Sequence, residues 1–171
     1  MLGFLGSVLL AFVALGLQAT LVPHVQIAGV GPDLAVVAIV LLAYRRGATA
    51  GVLAGFLIGL AQDVTNPAFL GLNALAGSVV GFAAGSSREH LDATSPVLSA
   101  ATLFVAVLVH DLVYLTIFTH LALSGLLLGL LTRSLPTALY TALVGVWVLT
   151  ALASLTRRGV HPLGRTSYAR R

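Results

Sequence analysis

The sequence predicts an all-α membrane protein of about six transmembrane helices, and two observations carry that expectation. Of its 171 residues, 58% are hydrophobic and only 8% are charged, well outside the balance of a soluble domain. Long apolar runs also recur along the chain with short loops between them. A span takes roughly 20 apolar residues to cross a hydrocarbon core of about 30 Å, so this length holds five or six and leaves almost nothing for a domain outside the bilayer. The chain has no cysteine, which excludes disulfides, thiolate metal sites and cysteine nucleophiles.

The first apolar run, Leu2 to Val22, is as long as a span and uncharged. It lacks the basic leader of a secretory signal and is followed by more apolar sequence, so it reads as helix 1. Two prolines and two glycines between Pro23 and Pro32 mark a loop. Helix 2 starts near Pro32 and Asp33, where proline suits a first turn and a carboxylate favours a helix N-terminus. It runs to Tyr44, short for a span. Helix 3 covers Ala48 to Gln62, helix 4 Gly71 to Ser86, helix 5 Pro96 to Phe118 and helix 6 Leu135 to Leu155. The piece Leu121 to Leu131 is too short to span alone and is expected to be a separate interfacial or re-entrant helix ahead of Arg133 and Pro136.

All nine basic residues are arginines, and their clustering says more than the net charge of +4. Arg45 and Arg46, Arg88, and the tail arginines from Arg157 to Arg171 fall on alternate loops, as cytoplasmic loops require. The loops around Pro23 to Gly31 and Asp63 to Leu70 carry none; only Arg133 breaks the pattern. The expected topology is a multi-pass membrane protein with both termini cytoplasmic: a bundle over residues 1–155 and a basic tail over 156–171 able to lie on lipid head groups. No nucleic-acid partner is implied by such a distribution.

Two glycine series have helical spacing. Gly47, Gly51, Gly55 and Gly59 stack on one face of helix 3, and Gly77, Gly81 and Gly85 on one face of helix 4, with Asn73 one turn earlier. Lipid supplies no hydrophobic drive between helices, so close backbone approach through small residues is a main source of association. The faces serve either packing within this chain or docking of a partner's helix. Asp63, Asn73, His110 and Asp111 are expensive in a bilayer and are expected to share its outer half. They form either an internal network that fixes helix register or a site for a ligand, proton or partner.

Catalytic readings are weaker. Asp63 and Asp111 could form the acid and base of an intramembrane aspartyl protease, but lipoprotein signal peptidases, which use such a pair, have four spans and more asparagine than Asn66 and Asn73 supply. Ser78 or Ser99 with His110 lacks a nucleophile motif. His24, His110, His120 and Asp63 lack the spacing of a metal site. Neither a catalytic residue, a metal nor a cofactor is assigned.

The stretch from Gly31 to Gly85 resembles the MreD family of bacterial rod-shape-determining membrane proteins. The resemblance rests on Gly31-Pro32-Asp33 opening an apolar helix, Arg45-Arg46-Gly47, the run Gly55 to Asp63, Leu70-Gly71 before a glycine-rich helix, and His110-Asp111 in the fifth helix. Gln62 stands where a leucine is expected before Asp63. The resemblance implies a non-catalytic scaffold of the elongation machinery that directs side-wall peptidoglycan synthesis. Its implied partner is MreC, met through transmembrane helix faces, with RodA, PBP2 and MreB in a larger complex. It also implies a fold resembling the substrate-binding components of energy-coupling-factor transporters. A vitamin-binding component is therefore the rival reading, although Ala11, Ala14 and Ala19 miss the Ala-x-x-x-Ala spacing of such components.

Overall fold

The computed structural model describes residues 2–65, 69–88, 95–119 and 123–158. Among them the architecture is all-helical, with a lone bridge between Ile27 and Val30 as its sole extended pairing. The order is α1 (Leu2–Thr20), a single turn α2 (Val22–Val25), α3 (Leu34–Arg46), α4 (Ala48–Asp63), α5 (Leu72–Ser87), α6 (Pro96–Phe118), α7 (Leu123–Gly129), a π-helical turn (Leu130–Ser134) and α8 (Leu135–Arg158). Two stretches are long and apolar enough to cross a membrane, Pro96–Phe118 and Leu123–Ala151.

The bundle is built around α3. Every residue from Ala35 to Ala43 is buried, as an all-round apolar helix requires of its neighbours. Its head is tied down by three side chains. Asp33 Oδ1 accepts the Val36 amide at 3.0 Å, Gln18 Oε1 from α1 accepts the Leu34 amide at 2.7 Å, and Thr141 Oγ1 from α8 accepts the Asp33 amide at 2.8 Å. These amides have no carbonyl one turn back, so each bond removes an orphan donor. Pro32, expected in the first turn, lies outside the helix. Asp33 takes the N-cap because its extended backbone (ψ 91°) precedes the first helical residue, Leu34.

One residue separates α3 from α4. Gly47 has φ +89°, a conformation that an L side chain reaches only with strain, and its amide closes on Ala43 O at 2.7 Å. The Arg88 guanidinium lies against Gly47, which brings the arginines at the end of α3 and the end of α5 to one end of the bundle. The opposite end carries Asp33, the end of α4 and the start of α5.

Outward, the composition inverts relative to a water-soluble bundle. On α4 the glycines face α5 while Leu53, Phe56 and Leu57 are exposed, and the sole tryptophan, Trp147 on α8, is 79% exposed. A small-residue interior under a large apolar exterior fits a hydrocarbon surrounding.

The expected separate helix at Leu121 to Leu131 is corrected: residues from Leu123 run without a break through the π turn into α8. The Leu135 amide reaches back five residues to Leu130 O. This wider turn comes just before Pro136, whose ring would otherwise press on the Thr132 carbonyl and which has no amide to donate. Arg133 and Pro136 therefore do not end the helix; the extra residue in the turn absorbs them.

Candidate functional site

The glycine series of α4 and α5 mesh with each other. A Cβ on Gly51 would run into the Gly81 carbonyl, one on Gly55 into that of Gly77, and one on Gly59 into that of Asn73; reciprocally, Gly77 is closed by Gly55, Gly81 by Gly51 and Gly85 by Ala48. Backbone touches backbone along about three turns, and α4 with α5 forms the most extensive helix pair of the bundle. Gly47 forms the turn and also borders the seam, its carbonyl carbon lying against Gly85.

Asp63 ends α4 and is 1% exposed. Its Oδ1 accepts the Asn73 amide at 3.1 Å and Asn73 Nδ2 at 2.9 Å, and its Oδ2 accepts the amides of Gly71 at 2.9 Å and Ala74 at 3.1 Å. The first amides of a helix are an anion site, so the carboxylate at the end of one helix caps the next. Gly71 makes this geometry reachable with a left-handed φ of +97°.

Beside this clasp lies a polar cavity of about 270 Å³. Its floor is the head of α3 with Pro32 and Asp33; one wall is His110, Asp111 and Tyr114 of α6, and another is Arg133 and Ser134 of the π turn. Gln18, Gln62 and Asn73 complete the rim. His110 is buried and its Nδ1 lies 3.2 Å from Asp111 Oδ1, while Asp33 and Asp63 lie within electrostatic reach of its ring. The Ser134 hydroxyl is buried and has no hydrogen-bond partner among the described residues. Arg133 is exposed at the mouth, and no hydrogen bond or salt bridge joins it to a described residue.

Of the four polar residues singled out in sequence, Asn73, His110 and Asp111 therefore line one cavity, and Asp63 stands behind Asn73 with its oxygens already occupied. Asp33, noted as a helix cap, is also part of the cavity floor. Pattern reading leaves out Gln18, Gln62, Arg133 and Ser134. Two of these carry a signal in sequence: Gln62 replaces a leucine, and Arg133 breaks the alternation of arginine-bearing loops. His24 is elsewhere, bonded to Thr20 O at 2.8 Å, and His120, Asn66 and the tail from 159 onward lie outside the described residues. Among the described residues no three His, Asp or Glu side chains gather as metal ligands do.

The sequence model of the family described as rod shape-determining protein MreD matches residues 1–158. No curated protein and no solved structure matches the chain.

Proposed function

The chain belongs to the MreD family of rod shape-determining proteins, and from that membership we propose that it is a non-catalytic membrane scaffold for side-wall peptidoglycan synthesis that binds MreC through a helix face. RodA, PBP2 and MreB join the same larger complex. The bundle spans the inner membrane six times, with both termini on the cytoplasmic side. The shared end of Arg46 and Arg88 supports this orientation.

One observation carries the docking reading. The glycine seam is consumed inside the chain, yet a second small-residue groove, between α5 and α6, is left open. It has a volume of about 290 Å³ and is lined by Ala83, Ala84, Ala101 and Ala106, with Val80 and Val105. Small residues let a helix backbone approach closely in lipid, and a single-span partner such as MreC presents one helix.

The test is co-purification of MreC with the full chain carrying Ala83→Phe or Ala101→Phe. Both positions are exposed, so the added rings fill the groove without entering the core. Loss of MreC from both variants is expected; unchanged recovery with both would overturn this docking face. The vitamin-binding alternative draws support from the polar cavity, and tight capture of a vitamin by the purified chain would favour it.

A further inference from the structure

The polar cavity adjoins a second, apolar space. A groove of about 460 Å³ lies between α1, α3 and α8, and the two share Val22 and Pro32 in their walls. Along α1 the groove runs from Leu21 to Leu10, about 16 Å at 1.5 Å per residue. That is close to the hydrocarbon depth of one leaflet, half of about 30 Å. The arrangement has the outline of an amphiphile: a polar chamber at one end, and beside it an apolar groove the length of one acyl layer.

The charges of the chamber define the head group. Two carboxylates, Asp33 and Asp111, line the chamber with the Arg133 guanidinium and with His110, whose Nδ1 lies 3.2 Å from Asp111 Oδ1. Asp33 uses Oδ1 to cap α3, and Asp111 uses Oδ1 toward His110, so each has an oxygen with further capacity. Arg133 makes no hydrogen bond or salt bridge to a described residue. An anion alone would leave the spare oxygens of Asp33 and Asp111 without a donor. A cation alone would leave Arg133 unmatched. A head group with both an ammonium and a phosphate answers the two carboxylates and Arg133.

We infer that the cavity and groove together hold one phospholipid with a primary-amine zwitterionic head group, of the ethanolamine type. The ammonium donates to the Asp33 and Asp111 carboxylates, and the phosphate accepts from the Arg133 guanidinium, both charge-assisted contacts. One acyl chain lies along α1 in the groove. Moving that chain out of the surrounding lipid gains little energy, because the bilayer is already apolar. The groove serves to place and orient the head group, and affinity resides in the chamber, whose size is just below the roughly 300–1,000 Å³ of drug-sized pockets. The inference takes from the proposed function only that the bundle sits in a bilayer, and it is independent of MreC.

The experiment is native mass spectrometry of the full delipidated chain in detergent, without MreC. It is titrated with phosphatidylethanolamine, phosphatidylglycerol and phosphatidylcholine of equal chain length, and with glycerophosphoethanolamine. The expected result is one phosphatidylethanolamine per chain, bound at least about tenfold tighter than the other two lipids, the scale of a charge-assisted hydrogen bond. Arg133→Gln and Asp111→Asn should each remove that preference. Val13→Trp, at an exposed position that lines the groove, should weaken binding of the lipid. Arg133 and Val13 lie outside the core, so their variants should keep the fold even if Asp111→Asn does not. Equal affinity for phosphatidylglycerol, or a preference untouched by both Arg133→Gln and Val13→Trp, would overturn the inference. So would glycerophosphoethanolamine binding as tightly as the whole lipid, which would make the ligand a soluble zwitterion.

Discussion

Asp63 and Asn73 are joined twice, the Asn73 backbone amide and its side-chain Nδ2 both donating to Asp63 Oδ1 at 3.1 and 2.9 Å. With the Gly71 and Ala74 amides on Oδ2, the pair locks the far end of the α4–α5 seam. Asp63→Ala leaves buried amides without an acceptor. It should lower the stability of the purified chain by about 3 kcal/mol, the range for hydrogen bonds to a charged group, read from the midpoint of denaturation in mixed detergent. Asp63→Asn should fall between the two, since an amide NH2 faces donors.

Substitutions in the glycine seam should separate sharply from those outside it. A methyl on Gly55 or Gly81 collides with backbone, whereas Gly16 on α1 has nothing within 4 Å of the added Cβ. Gly55→Ala is expected to cost about 1–3 kcal/mol as an overpacked contact. Gly16→Ala should be neutral or slightly stabilising through helix propensity. The same denaturation midpoints compare them, and equal effects would deny the seam its role.

Two hydroxyls of one region should respond in opposite senses. Thr141 Oγ1 accepts the Asp33 amide, so Thr141→Val strands that donor and should destabilise by about 1–3 kcal/mol. Ser134 Oγ has no partner among the described residues, so Ser134→Ala should be neutral or stabilising in lipid-free protein. Thermal melts of the delipidated variants distinguish the two.

The single tryptophan reports on what surrounds the bundle. Trp147 is 79% exposed, yet in a bilayer that exposure is to acyl chains. Its emission should be blue-shifted, quenched by brominated lipids in reconstituted vesicles and insensitive to aqueous iodide. Efficient iodide quenching would mean that this face of α8 meets water.

Much of the fold is readable from local chemistry. Ser95-Pro96 starts α6 because proline suits a first turn and the serine hydroxyl accepts the Leu98 amide, and Arg45-Arg46-Gly47 ends α3 because glycine alone takes the reversal easily. The glycine spacing likewise reveals two faces, though not that each is the other's partner, because register along one helix carries no information about which helix lies opposite. The π turn is hidden for a related reason. Pro136 reads as a helix breaker, and only the wider bond from Leu135 to Leu130 turns it into a continuation. That turn places Arg133 and Ser134 opposite Asp111, so the cavity depends on a backbone detail with no period to detect.

The single-residue link at Gly47 also bears on how the chain enters its membrane. The 13 residues of α3 extend about 20 Å as a helix, well short of the roughly 30 Å hydrocarbon layer, so α3 is a poor candidate to insert on its own. Joined to α4 by one glycine, it has no slack to wait in water while its neighbour partitions. The two helices are therefore bound to move as one unit, which makes their turn a constraint on assembly as well as a corner of the mature bundle.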